Sequence, residues 1–381
     1  MKVAIIAESF LPLMNGVTHS LLKILHHLAE RGDEVLVIAP SAKQHEATEV
    51  AGARVLRLPA VPLTGYRNLR VAVGGVNRLR VLLNEFQPDV VHLASPFILG
   101  WRAAQAAQQL GLPIVAVYQT DVPGYAAKYG VPFLENKAWE RVENIHLAAT
   151  RTLAPSSHAV TELRSHGIPR VQLWPRGVDT VRFHPAKRSQ LFRQQVAPGG
   201  ERIIGYVGRL ALEKQLEDLA AISELPGTKL VIVGEGPLGA ELRNRFPDAY
   251  FTGFLDGEEL AVAVASFDLF VHPGELETFC QTIQEAMASG VPVVATGRGG
   301  PLDLVESSKT GWLYPPGELA QFRSYVLDLI GDDAKREAFA TAAFRTVQGR
   351  TWQAVCARLI EHYHDAIAEH AMATTSMKGS R

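Results

Sequence analysis

Two segments of this chain combine side chains whose types and spacing could handle a phosphorylated ligand. In Gly208-Arg209-Leu-Ala-Leu-Glu-Lys214, two cations stand five residues apart behind a glycine. A guanidinium can grip a diphosphate as a planar fork, and an ammonium as a point charge. The same residues would also fit a solvated arginine and a lysine paired with Glu213. In His272-Pro-Gly-Glu-Leu-Glu277-Thr-Phe-Cys-Gln-Thr-Ile-Gln-Glu285, two carboxylates are eight positions apart. On a helix starting near Thr278 they would lie within about 80° of each other, two turns apart, and could hold hydroxyls at two points of an extended ligand. The N–H groups of Thr278, Phe279, Cys280 and Gln281 would be the unpaired donors of that helix end, suited to phosphate. Capping and solvation would explain Glu277 alone. They do not explain Glu285 inside the mostly apolar stretch Ile283 to Ala288.

Other segments are less specific. Gly16, in Pro12-Leu-Met-Asn-Gly16-Val-Thr18, lets the backbone approach an anion ahead of a helix, and a tight turn with Thr18 as N-cap fits equally well. Gly234-Glu-Gly236-Pro-Leu-Gly239 matches the dinucleotide fingerprint literally and raises a nicotinamide dehydrogenase as a rival. It lies far from the first strand of its half and carries Pro237 in the turn, so a tight strand-to-helix turn is the better reading. Between Tyr66 and Arg80, Arg67, Arg70, Arg78 and Arg80 alternate with Leu69, Val71, Val73, Val76 and Leu79. Such a stretch could rest on an anionic membrane, and an ordinary solvated helix face explains it as well.

These loops need strands and helices to position them, and the sequence has both. The chain has 381 residues, longer than one hydrophobic core usually serves, and 47% of them are hydrophobic. Buried strands at Val3–Ala7, Val35–Ala39, Val90–Leu93 and Ile114–Val117 alternate with helices, and the pattern restarts at Ile203–Val207. Apolar runs of this kind indicate parallel sheets covered on both faces. Two α/β domains follow, residues 1–182 and 183–351, with a last helix over 352–381 that could pack back onto the first. Thirty-eight basic against 39 acidic residues give a net charge of −1, which argues against nucleic acid as a partner. Cys280 and Cys356 cannot make a disulfide framework, and no cysteine or histidine spacing suggests a metal. No signal peptide and no apolar run of about 18 residues is present, so a cytoplasmic protein is expected, reaching a membrane only peripherally at its inner face.

The residues resemble the retaining family 4 glycosyltransferases. Glu277 and Glu285 match that family's paired glutamates, Arg209 and Lys214 its diphosphate pair, and Asn15-Gly16-Val17 its N-terminal glycine loop. Gly177-Val-Asp179, with Arg182-Phe183 and Pro185, matches its interdomain signature. A finer likeness is to actinobacterial GDP-mannose-dependent α-mannosyltransferases of glycolipids. It is carried by Ala7-Glu-Ser-Phe-Leu-Pro12, Val91-His-Leu-Ala-Ser-Pro96, Val117-Tyr-Gln-Thr-Asp-Val-Pro-Gly-Tyr125 and Glu277-Thr-Phe-Cys-Gln281.

The resemblance implies an α/β protein of the GT-B fold, two Rossmann-like parallel-sheet domains facing a central cleft, the first for acceptor and the second for nucleotide sugar. It implies transfer of α-mannose from GDP-mannose to a glycolipid such as glucuronosyl diacylglycerol, in cell-envelope glycolipid and lipomannan synthesis. Arg209, Lys214, Glu277 and Asp121 are then the catalytic candidates. Gly16, Arg209, Lys214, Leu255, Asp256, Glu277, Phe279, Cys280, Gln281 and Glu285 would hold the donor, with Glu277 on the sugar and Glu285 on the ribose. Gln119, Asp121 and Tyr125 would face the acceptor. Many relatives have histidine where this chain has Gln119, which cannot exchange protons; a departing phosphate that deprotonates the acceptor needs no protein base. Two other readings stay open: a UDP-sugar-dependent glucosyl or sulfoquinovosyl transferase, and a non-catalytic nucleotide-sugar binding module. No Asp-x-Asp occurs. No metal and no cofactor beyond the donor substrate is therefore implied.

Overall fold

The computed structural model describes residues 1–42, 46–62, 70–128 and 135–379, without the side chains of 125–127 and 377–379. Tyr66, Arg67 and Leu69 of the basic stretch lie outside the described residues. The chain divides into two compact units, one drawn from residues 1–127, 131–176 and 353–381, the other chiefly from 177–352.

The first unit holds β1 (Lys2–Ala7), β2 (Glu34–Pro40), β3 (Glu49–Val50), β4 (Ala53–Leu58), β5 (Ala60–Pro62), β6 (Arg70–Ala72), β7 (Val90–Ala94), β8 (Ile114–Val117), β9 (Arg151–Ala154) and β10 (Val171–Leu173). β5 and β6 form a two-stranded antiparallel ribbon. The other eight make one sheet in the order β10-β9-β8-β7-β1-β2-β4-β3, parallel except for the β3–β4 edge. The strand order reverses between β1 and β7. At such a switch point the loops leaving neighbouring strands diverge and open a crevice for a ligand.

The second unit is a six-stranded, all-parallel sheet. Its strands are β11 (Arg202–Val207), β12 (Thr228–Val233), β13 (Tyr250–Gly253), β14 (Leu269–His272), β15 (Val293–Thr296) and β16 (Gly311–Tyr314), ordered β13-β12-β11-β14-β15-β16. Successive residues of one strand enter opposite cores: Ile203 and Val207 join one cluster, Ile204 and Tyr206 the other. Both faces are therefore covered, which is why these strands read as unbroken apolar runs. The switch point lies between β11 and β14, and the loops carrying Arg209, Lys214 and Glu277 leave those two strands.

The last helix, Trp352–Gly379, returns to the first unit. The Trp174 indole donates to the Val355 carbonyl at 3.0 Å, and His92 Nδ1 meets the Tyr363 hydroxyl at 2.6 Å. Arg151 bridges Asp365 and Glu369 at 2.7 and 2.6 Å. His92 is fully buried, which pushes its pKa down to about 3, so it is a neutral structural group. Among the described residues no helix is long and apolar enough to cross a membrane.

Candidate active site

In the second unit the switch-point loops interlock. After β11 the chain makes a single 3-10 turn, Leu212–Lys214, that brings the Lys214 ammonium onto Glu277 Oε1. His272, the last residue of β14, reaches the same oxygen with Nε2 at 3.0 Å. The Gln215 amide clasps Glu275 twice, Nε2 to Oε1 and the Glu275 N–H to Oε1 of Gln215, both at 2.9 Å. Arg298, after β15, holds the other Glu275 oxygen at 3.0 Å. The Lys214 ammonium is placed on Glu277. Arg209 lies near Glu213, at 3.9 Å, and its side chain is 58% exposed.

Electrostatics follow from this packing. Burial alone would raise the Glu277 carboxyl, but Lys214 and His272 outweigh it and hold its pKa at about 2. Burial alone would lower the His272 imidazole, but Cys280 and Glu277 carry it up to about 9. Glu277 is thus a permanently ionised acceptor between two cations. Glu285 is the opposite case. Burial pushes it up to about 8, against the smaller lowering effects of Gln281 and Arg182. One glutamate of the pair is charged at neutral pH and the other holds its proton.

The helix behind them starts later than the sequence suggested. It spans Gln281–Ala288 rather than beginning near Thr278, because Cys280 takes a left-handed backbone at φ +73 and the Glu277 carbonyl accepts from Gly300 N–H at 2.7 Å. Glu277 therefore stands in a loop, and the helical spacing assumed for the two glutamates does not apply. A Cβ on Gly300 would come within 2.3–2.4 Å of the Phe279 backbone, so only glycine lets this loop lie against residues 277–279. No side chain caps the helix at Cys280. Its first N–H groups, aided by the helix dipole, can receive an anion. The Gln281 amide donates to the Gly177 carbonyl at 3.0 Å.

The dinucleotide-like glycines have a packing explanation. A Cβ on Gly234 would sit 2.0 Å from the Gly208 carbonyl oxygen, and one on Gly236 would sit 2.3 Å from that of Leu210. The loop after β12 thus lies backbone to backbone on the Arg209 loop, and its glycines are needed for that approach. Leu255 packs against the core, and Asp256 precedes the Gly257–Ala265 helix.

In the first unit, Asn15 caps the Gly16–Glu30 helix, accepting from the N–H groups of Val17 and Thr18 at 3.0 and 2.9 Å. Thr18, the cap in one of the two readings of this loop, is fully buried inside the first turn. Sequence reasoning missed Arg176, which gathers this loop from 160 residues away. Its guanidinium donates to the Gly16 carbonyl at 2.7 Å, to Ser20 Oγ at 2.9 Å and to Gln119 Oε1 at 2.9 Å. Glu8, also missed, bridges the β1–β7 switch point by accepting from the N–H groups of Phe97 and Gly100 at 2.7 and 2.8 Å. Asp121 Oδ1 accepts from Gly124 N–H at 2.8 Å and from Tyr118 at 3.3 Å, at the start of the Val122–Lys128 helix that includes Tyr125. Of the basic stretch, Arg70 is turned inward onto the carbonyls of Ser41 and Ala60, while Arg78 and Arg80 are exposed.

No metal spacing is legible in the sequence, yet the fold gathers ligand atoms of His272, Glu277 and Cys280 within 4.8 Å of one another.

Known proteins resemble this chain over most of its length. Residues 14–182 match the family described as Glycosyltransferase Family 4, and residues 187–346 match Glycosyl transferases group 1. A GDP-mannose-dependent alpha-mannosyltransferase of Corynebacterium glutamicum is 46% identical over 97% of this chain and 90% of its own. The protein of that name from Mycolicibacterium smegmatis is 47% identical over 98% and 99%. A sulfoquinovosyl transferase of Arabidopsis thaliana is 32% identical over 96% of this chain and 74% of its own. Among solved structures, a sucrose-phosphate synthase from Thermosynechococcus elongatus superposes with a TM-score of 0.83 at 21% identity, covering 96% of this chain and 99% of that one. Two family matches that together take in most of the chain, and relatives nearly half identical from end to end, leave one conclusion: this chain belongs to the family 4 glycosyltransferases and has their GT-B fold.

Proposed function

We propose that this protein is a retaining α-mannosyltransferase that takes mannose from GDP-mannose and delivers it to a glycolipid acceptor. The observation that carries the chemistry is the Lys214–Glu277–His272 constellation beside a helix end with no side-chain cap. The likeness to the GDP-mannose-dependent relatives, stronger than that to the sulfoquinovosyl transferase, supports the donor. An α-(1-6)-phosphatidylinositol dimannoside mannosyltransferase, 27% identical, supports a lipid-linked acceptor.

On this reading the second unit holds the nucleotide sugar. Breaking the sugar–phosphate bond leaves negative charge on the diphosphate, and Lys214, Arg209 and the N–H groups near Phe279, Cys280 and Gln281 stabilise it. An ammonium has three donors, so Lys214 can bridge Glu277 and a phosphate oxygen. Glu277, always ionised, accepts from the sugar hydroxyls, and Glu285 binds the ribose. Leu255 and Asp256 border the base. The first unit receives the acceptor near Gln119, Asp121 and Tyr125. Contact with an anionic membrane would use Arg78 and Arg80, with Arg70 excluded because it serves the fold. The protein then works in the cytoplasm at the inner face of the membrane.

GDP should raise the melting temperature and UDP at equal concentration should raise it less. A ligand at 100 times its Kd adds about 2.7 kcal/mol of stability. A larger shift with UDP would move the assignment to a UDP-sugar transferase.

Arg176 gives a second expectation. An ammonium cannot span Gly16, Ser20 and Gln119 together as the planar guanidinium does. Arg176→Lys should therefore lower kcat/KM for mannosyl transfer about tenfold, or ~1.4 kcal/mol. An unchanged rate would show that these loops hold their places without it.

A further inference from the structure

We propose that His272, Glu277 and Cys280 form a binding site for a thiophilic divalent cation, Zn2+ above all, and that occupancy of this site inhibits the enzyme. A neutral imidazole, a carboxylate and a thiolate are donor types that zinc accepts, so binding would release one proton from the His272 ring and one from the Cys280 thiol to solvent. Their ligand atoms lie within 4.8 Å of one another, and His272 Nε2 and Glu277 Oε1 are 3.0 Å apart. In a tetrahedral site with ordinary bond lengths such atoms would be about 3.3–3.6 Å apart, so closing the site needs only small side-chain movements. Three protein ligands leave the fourth position for water or a phosphate oxygen.

Two further observations point to the same place. The His272 ring, only 2% exposed, interacts with the side chains of both Cys280 and Glu277, so all three donors already meet in one buried place. Cys280 occupies a backbone position at φ +73, where glycine would fit without strain. A thiol is therefore held in the cluster despite its backbone cost.

The cation would compete with the present occupant. Glu277 Oε1 now accepts from Lys214. A metal taking that oxygen would release the ammonium from its anchor. The inhibitory consequence rests on the proposed role of Lys214 as a diphosphate clamp, whereas the metal site itself does not.

The experiment is a Co2+ titration of the tag-free, full-length protein under a non-thiol reductant, read by absorbance. One equivalent should produce a thiolate-to-cobalt charge-transfer band that Zn2+ displaces. Cys280→Ser and Cys280→Gly should both abolish the band, the glycine variant serving if serine impairs folding. Cys356→Ser should retain it. Absence of the band in the parent protein, or its persistence without Cys280, would overturn the site. In the transfer assay, Zn2+ should inhibit in the range where it displaces Co2+, and Mg2+ should not. Cys280→Gly should raise the half-inhibiting Zn2+ concentration at least tenfold. Metal binding with undiminished transfer would overturn the inhibitory role.

Discussion

Lys214→Ala should lower kcat/KM for mannosyl transfer by about 100- to 1,000-fold, the usual result of deleting one preorganised group that stabilises a developing anion. The lysine has two tasks that fail together. It offers charge to the departing diphosphate, and it neutralises a carboxylate whose side chain is only 13% exposed. Without it, His272 still meets Glu277 Oε1, but the stronger cation is gone and the Glu277 pKa should climb from about 2. Arg209→Ala should cost less, about tenfold, because an exposed guanidinium acts through water and can be partly replaced by it. Steady-state kinetics with a fixed acceptor check both variants. A loss under about tenfold for Lys214→Ala, or ~1.4 kcal/mol, would remove it from the reaction.

The two glutamates should separate cleanly when each is made neutral. Glu277→Gln should collapse transfer by about 100-fold or more, since the sugar loses an ionised acceptor. It should leave GDP affinity intact or improved, because Lys214 and His272 then face the diphosphate uncompensated. Glu285→Gln should weaken GDP and GDP-mannose alike if Glu285 holds the ribose.

Glu285→Gln also carries a pH signature. The native group keeps its proton up to about 8, whereas in the unfolded chain it ionises near 4.5. Between those values the native state binds more protons than the unfolded one, so this residue makes stability fall as pH rises. Glutamine mimics the neutral form. The variant should melt like the parent near pH 4.5 and progressively higher up to pH 8 or above. Calorimetric titration with GDP and melting curves at pH 5 and 8.5 test the pair. Glu285→Gln sparing GDP while Glu277→Gln abolishes its binding would mean that their roles are exchanged.

What could be read from the sequence was local. The buried strands, the loop with Arg209 and Lys214, and the Glu277–Glu285 pair are each contained within a few residues of one another, and periodicity or spacing suffices to find them. The rest depended on partners far along the chain. Lys214 and Glu277 are 63 residues apart, and Arg176 and Gly16 are 160 apart, so no window over the sequence could pair them. The start of the Gln281 helix was misplaced because a hydrogen bond from Gly300 and the left-handed Cys280 override a sequence that is locally helical. The glycines of Gly234-Glu-Gly236 resembled a cofactor loop because glycine permits any close backbone approach, to a ligand or to a neighbouring loop. His272 lies only five residues before Glu277, but their contact depends on the loop between them folding back, which spacing alone does not show.

The return of the Trp352–Gly379 helix to the first unit bears on the order in which the protein can be made. During synthesis, a domain contiguous in sequence can fold as soon as it clears the ribosome. The second unit, chiefly residues 177–352, meets that condition. The first does not, since the His92–Tyr363 and Trp174–Val355 bonds join positions 271 and 181 residues apart. Its sheet must wait, with part of one face bare, until the last helix emerges. Residues 1–176 are thus made before the second unit yet finish folding after it, and a chain released without residues 353–381 would carry a folded second unit tethered to an incomplete, aggregation-prone first.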